Sequence, residues 1–147
     1  MLIGDTPGST RRILLVAAAA LIDSSGRVLI TQRPQHKALG GLWEFPGGKV
    51  ETGEAPEAAL IREMKEELDL SVASEDLEPF AFASHAYPEF HLLMPLYLIR
   101  RWTGDLRLDP NAAQAVAWAE PASLRDYAMP PADVVLVDRL IEWSAAQ

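Results

Sequence analysis

The stretch from Glu54 to Leu70 constrains the rest of the chain most, because it reads as one helix whose two long sides need opposite surroundings. A helix advances about 100° per residue. With Glu63 at zero, Ile61, Met64 and Leu68 fall at about 160°, 100° and 140°, an apolar face for a core. Glu66 and Glu67 fall at about 300° and 40°, so the three carboxylates share one stripe, with the small Ala59 close by. The two faces adjoin, and the acidic stripe must therefore run along the margin of whatever the apolar face buries. Pro56 suits the first turn, where its missing N–H costs nothing. Just upstream, Pro46-Gly47-Gly48 allows a sharp turn and a close approach to a ligand, since no Cβ stands in the way.

Two readings of the stripe compete. In one, Glu63, Glu66 and Glu67 are solvated surface residues. Like charges at these spacings cost about 0.2–0.5 kcal/mol per pair, however, and Lys65 points away from the stripe. In the other reading a divalent cation relieves the repulsion. Hard oxygen ligands suit Mg²⁺ or Mn²⁺, which also bridge phosphate oxygens, and the carbonyls of the glycine turn are further ligands of that kind. A carboxylate beyond those a metal needs could act as general base.

The remaining chain frames this helix. Its 147 residues, 49% hydrophobic and 23% charged, fit one domain spanning 1–147 with a sizeable core. No cysteine is present, which removes disulfides, thiolate zinc sites and cysteine nucleophiles. Thirteen basic against 21 acidic residues give −8, so polymeric nucleic acid would be repelled. A small anionic substrate needs local cations or bound metal. The longest apolar run, Ile13 to Ile22, is about half of a membrane span and lacks a convincing cleavage site. It reads as a buried strand of a protein with no membrane partner, in the cytoplasm.

Residues 1–11 read as a loose end. Ile13–Ile22 and Arg27–Gln32, around Asp23-Ser24-Ser25-Gly26, read as a hairpin. Leu42-Trp43-Glu44-Phe45 is a short strand stopped by Pro46-Gly47-Gly48. Leu77–Ala86 and His91–Trp102 are strands around Tyr87-Pro88-Glu89, and Ala115–Ala119 is a further one. Pro121–Tyr127 is a helical turn, and a last amphipathic helix runs from Asp133, its N-cap, to Ser144. Strands and helices mix along the chain, which predicts an α/β sandwich, a mixed sheet covered by two helices.

Gly48, Glu54 and Arg62-Glu63-Met64-Lys65-Glu66-Glu67-Leu68-Asp69-Leu70 together resemble the Nudix box. Asp69 stands where that box has a glycine, at a position following the helix where left-handed backbone is common. Arg33, Leu42-Trp43-Glu44-Phe45-Pro46-Gly47-Gly48-Lys49, Trp102 and Pro130-Pro131-Ala132-Asp133 extend the resemblance to the MutT branch, the 8-oxo-dGTP diphosphatases, and its CTP-hydrolysing relatives. The resemblance implies an α/β/α sandwich that cleaves a small-molecule nucleoside triphosphate to monophosphate and pyrophosphate with Mg²⁺ or Mn²⁺.

It further implies that the Gly47 carbonyl, Glu63, Glu66 and Glu67 hold metal and that Arg62 orients the carboxylates. Glu54 would support from the helix start, as a bridge to Arg62 or as an extra base. Arg33 and Lys49 are candidates for phosphate contacts; His36 and Lys37, on the intervening loop, could assist them, though plain loop polars is the commoner reading. Asp133 would hydrogen-bond the base, with Tyr87, Phe90 and Phe45 lining the pocket. The four tryptophans read as structural, and His91 as a satisfied strand residue. Ala112 and Ala113 stand where the resembled proteins place a Glu and a glycine, so a missing carboxylate there would lower turnover unless Asp109 compensates.

Four readings follow. The first is hydrolysis of oxidised nucleoside triphosphates, which cleanses the nucleotide pool. The others are a CTP or modified-dCTP pyrophosphohydrolase, a nucleotide-binding module with weakened catalysis, and a structural protein with an acidic helix. Monomer and homodimer are both compatible with the sequence.

Overall fold

The fold is that of a computed structural model, which describes residues 11–147. Apart from Arg11, the expected loose segment lies outside the described residues. In chain order the elements are β1 (Arg12–Leu21), β2 (Val28–Gln32), β3 (Trp43–Glu44), β4 (Gly47–Lys49), α1 (Pro56–Leu68), β5 (Leu77–Ala86), β6 (Phe90–Ile99), β7 (Ala115–Ala119) and α2 (Pro131–Ala145).

β1 is the spine, and its residues sort by parity. Ala17, Ala19 and Leu21 pack with Leu60, Met64 and Leu68 of α1. Ala18 and Ala20 pack with Leu136, Val137 and Leu140 of α2. Successive side chains of a strand point to opposite faces, so an unbroken apolar run is what a strand covered on both sides requires. The result is helix, sheet, helix, the expected α/β architecture.

The strands divide between two sheets, ordered β4-β1-β6-β5 and β3-β2-β7. β1 and β6 are parallel, and the remaining pairs are antiparallel. This corrects the expected hairpin. Asp23 does make its turn, accepting the backbone N–H groups of Ser25 and Arg27, but β1 and β2 share only the bridge from Ile22 to Val28. Beyond it they diverge, because β1 is apolar on both faces and takes an interior place beside β6. The glycines expected to stop β3 form a strand of their own, β4, against β1. A Cβ at Gly47 would run into the Ala17 carbonyl oxygen, so only glycine permits that approach.

Two other boundaries move. β6 ends at Ile99 rather than Trp102; Arg100 and Arg101 leave the sheet, and Trp102 stacks on Trp118 with centroids 6.1 Å apart. α2 begins at Pro131 with Pro130 as its N-cap, so Asp133 lies inside the first turn and caps nothing. α1 ends as expected for a helix needing left-handed backbone. Asp69 has φ 58° and ψ 32°, its N–H and that of Leu70 return to the Lys65 and Met64 carbonyls, and its carboxylate meets Lys65 at 2.8 Å. No helix among the described residues is long and apolar enough to cross a membrane.

Candidate active site

With Met64 and Leu68 fully buried beneath β1, the adjoining edge of α1 carries Arg62, Glu63, Glu66 and Glu67. Arg62 organises that edge. Its guanidinium grips both Glu54 oxygens, at 2.9 and 3.0 Å. The remaining donors reach Glu63 at 3.0 Å, Glu66 at 3.4 Å and the Lys49 carbonyl at 3.2 Å. A planar five-donor fork suits such multiple pairing. Glu54 also accepts the Glu51 N–H, and the Arg62 bond, foremost, holds its carboxyl down to about 2. Of its two candidate roles, this geometry favours the bridge to Arg62.

Glu67 lies on the inner side of the stripe. It is half-buried as a residue, yet its carboxyl is mostly surrounded by protein atoms. Desolvation above all, then the charges of Glu63 and Glu44, pushes it up to about 9 despite a bond from the Gly47 N–H. Burial likewise raises Glu63 and Glu44, against the pull of Arg62 and Arg33 respectively. Gly48 faces the Glu63 carboxyl so closely that a Cβ would collide with it. The two glycines thus serve different neighbours, Gly47 the strand β1 and Gly48 the carboxylate.

A cavity of about 310 Å³ gathers these groups: Gly47, Glu63, Glu66 and Glu67 on one side, and Arg33, Lys37 and Glu44 on another. Asp109, Asn111 and Ala112 close it from a loop anchored by Asp109 N–H to the Glu67 carbonyl at 2.8 Å. Arg33 shares one amino group between both Glu44 oxygens at 3.3 Å and donates Nε–H to the Ala38 carbonyl at 2.8 Å. Lys49, exposed on β4, is not among the lining residues. Of the lining residues, Glu44 is one that the sequence does not single out. A lone acid between Trp43 and Phe45 is the available signal for Glu44, and a basic residue on the loop after Arg33 that for Lys37.

The donor set suits a hard divalent cation. Glu63, Glu66, Glu67 and the Gly47 carbonyl are all oxygen donors, and the inward carboxyls are destabilised by one another's charge. No closed group of three acidic or histidine side chains in ligating geometry occurs among the described residues. Arg62 holds Glu63 and Glu66, the latter 58% exposed. Binding a cation would therefore exchange existing partners for a new one. A larger hollow of about 730 Å³, between Ser71–Ala73 and Arg100–Thr103, lies apart from these carboxylates.

Asp133, at the start of α2, is not among the residues that line the cavity of the glutamates, nor are Phe45, Tyr87 and Phe90. Asp133 is only 5% exposed, and its carboxylate accepts the Phe45 N–H at 3.2 Å. Desolvation pushes it up to about 7 against that hydrogen bond. The expected pocket aromatics stand beside it. Tyr87 reaches the Ala132 N–H through its hydroxyl and packs on Phe90 with centroids 5.3 Å apart, and Phe45 is buried in the α2-side core. His91 bonds Ser84 at 2.7 Å, as a satisfied strand residue should.

A family model described as a NUDIX domain matches residues 17–139. The chain is 38% identical over 96 residues to an 8-oxo-dGTP diphosphatase of Proteus vulgaris, a match covering 65% of this chain and 84% of that protein. It is 33% identical over 144 residues to a CTP pyrophosphohydrolase of Escherichia coli strain K12, covering 91% and 96% of the two chains. Among solved structures, the solution structure of the E. coli ORF135 protein superimposes over 97% of this chain and 98% of that one, with a TM-score of 0.81 and 29% identity.

Proposed function

The chain belongs to the NUDIX domain family as a MutT-like pyrophosphohydrolase, and from that premise we propose that it hydrolyses oxidised nucleoside triphosphates of the 8-oxo-dGTP type to monophosphate and pyrophosphate. The supporting observation is one cavity that joins three glutamates of a helix edge to a glycine strand and a half-buried arginine. We further propose that the whole of 1–147 works as one domain, in the cytoplasm, on the free nucleotide pool.

In this reading Glu63, Glu66, Glu67 and the Gly47 carbonyl hold Mg²⁺ or Mn²⁺. Such a cation, when bound, neutralises phosphate oxygens and lowers the pKa of a water. Arg62 keeps the carboxylates in position and Glu54 keeps Arg62 in position, through the bidentate pair. Arg33, its fork set by Glu44 and the Ala38 carbonyl, faces the phosphates with its remaining donors, and Lys49 stands outside the cavity as a secondary candidate. Asp133, Tyr87, Phe90 and Phe45 receive the base. A carboxyl near its titration point can accept from a ring N–H or an amine and can also donate.

CTP or modified dCTP is the second reading, favoured by the near full-length similarity to a CTP pyrophosphohydrolase. Ala112 supports a third, nucleotide binding with slow turnover, because it brings no carboxylate to a cavity wall where Asp109 is the acid present. Pyrophosphate release from 8-oxo-dGTP, dGTP and CTP, with and without Mg²⁺, separates the three. Preferred cleavage of 8-oxo-dGTP is expected; preferred CTP cleavage supports the second reading, and binding without release the third.

A further inference from the structure

The cavity's cations are not equivalent. Arg33 is neutralised by Glu44, and Arg62 by Glu54, Glu63 and Glu66. Lys37 forms no ion pair among the described residues. Its ammonium donates to the Asn111 carbonyl at 2.7 Å, a neutral acceptor on the facing loop. Three donors are available on an ammonium, so this bond leaves others free. The reach is supported from both sides. The Gln35 N–H meets the Gln114 side chain at 3.1 Å, and the Gln114 N–H meets the Gln32 carbonyl at 2.9 Å, which holds the 34–41 loop against the 109–114 loop. Both Lys37 and Asn111 line the cavity that holds Glu63, Glu66 and Glu67.

From this geometry we infer that Lys37 is a substrate-binding residue that reads the length of the phosphate chain, pairing with the terminal phosphate of a nucleoside triphosphate while bridging the two loops. The inference rests on the proposed nucleotide substrate. A triphosphate brings about four negative charges to a cavity where Glu44, Glu63, Glu66, Glu67 and Asp109 outnumber Arg33 and Lys37, and in the proposed reading the distal phosphate lies farthest from the base at Asp133. The Lys37 ammonium, with donors left beyond its Asn111 bond, supplies that distal charge with a partner; a diphosphate would leave those donors unused.

The test is binding of the non-hydrolysable α,β-methylene analogues of dGTP and dGDP, with Mg²⁺, to the wild-type chain, Lys37→Ala and Lys37→Arg. Loss of a charge-assisted hydrogen bond predicts about tenfold weaker triphosphate binding in Lys37→Ala and less than about twofold change for the diphosphate, with most of the loss restored by Lys37→Arg. Equal weakening of both nucleotides would make Lys37 a loop tie only and overturn the inference, as would no change in either. If the wild type binds the analogues as predicted but cleaves no triphosphate, the hydrolytic reading falls while the inference stands. If the wild type binds neither analogue, both fall.

Discussion

Glu67 and Asp133 are the two most strongly raised carboxyl groups of the site, and they stand on opposite sides of the sheet. Burial is the first cause for both, pushing Glu67 up to about 9 and Asp133 up to about 7. Their company differs. Glu67 shares its edge with Glu63 and Glu44, so added positive charge relieves several groups together. Asp133 is the more deeply buried, accepts the Phe45 N–H, and feels Glu44 offset by Arg33, so a single proton or one hydrogen-bonding ligand suffices. The same shift in the same functional group thus suits the proposed cation in one place and the proposed polar edge of a base in the other.

Glu67→Gln should separate the two ends most sharply. Cation-dependent turnover is expected to fall by about 10²–10⁴. Melting of the metal-free protein near pH 7 should not drop, because an amide has the shape of the protonated carboxyl. Unchanged turnover would remove Glu67 from the reaction.

Asp133→Asn should act on stability instead. The folded pKa of Asp133 lies above its ordinary 3.8, so the folded chain keeps a proton that the unfolded chain has lost. Its contribution is therefore most favourable below that ordinary value, and stability declines as pH rises towards about 7, levelling off above. The amide can still accept from Phe45 and carries no charge to bury. The variant should therefore gain on the wild type across that window, by about 2–4 kcal/mol at its upper end in urea unfolding. A difference that does not vary with pH would mean that Asp133 is ionised throughout.

Gly48→Ala is the smallest of the three changes and the most local. Its Cβ would displace the Glu63 carboxyl, so Mn²⁺ affinity should weaken about tenfold, a loss of about 1.4 kcal/mol. Asp133→Asn should leave that affinity alone. Equal effects of both variants on cation binding would erase the division between the two ends.

Much of the α1 side was legible because helix geometry is local. Rotation about one axis sets Met64 and Leu68 against the acidic stripe, and the left-handed turn at Asp69 follows from where the helix stops. β5 and β7 fall where alternation and turn residues put them. What escaped depends on distant partners. Sequence proximity pairs β1 with β2, whereas its partners are β4 and β6, the latter reached only after α1 and β5 have been placed. Asp133 read as a helix cap because its acceptor role is towards Phe45, 88 positions away. Lys37 read as a loop polar because its contact, Asn111, lies on another loop. Charged residues advertise chemistry by spacing only when that spacing lies within one element.

The cation-binding role of the α1 edge is tested most directly by calorimetric titration of the metal-free chain with Mn²⁺ at pH 7.5, in two buffers of different ionisation enthalpy. A carboxyl that starts near 9 must lose its proton to become a ligand. Binding should accordingly release about one proton in the wild type and about none in Glu67→Gln. A titration without binding heat, even with a nucleoside triphosphate present, would contradict that role.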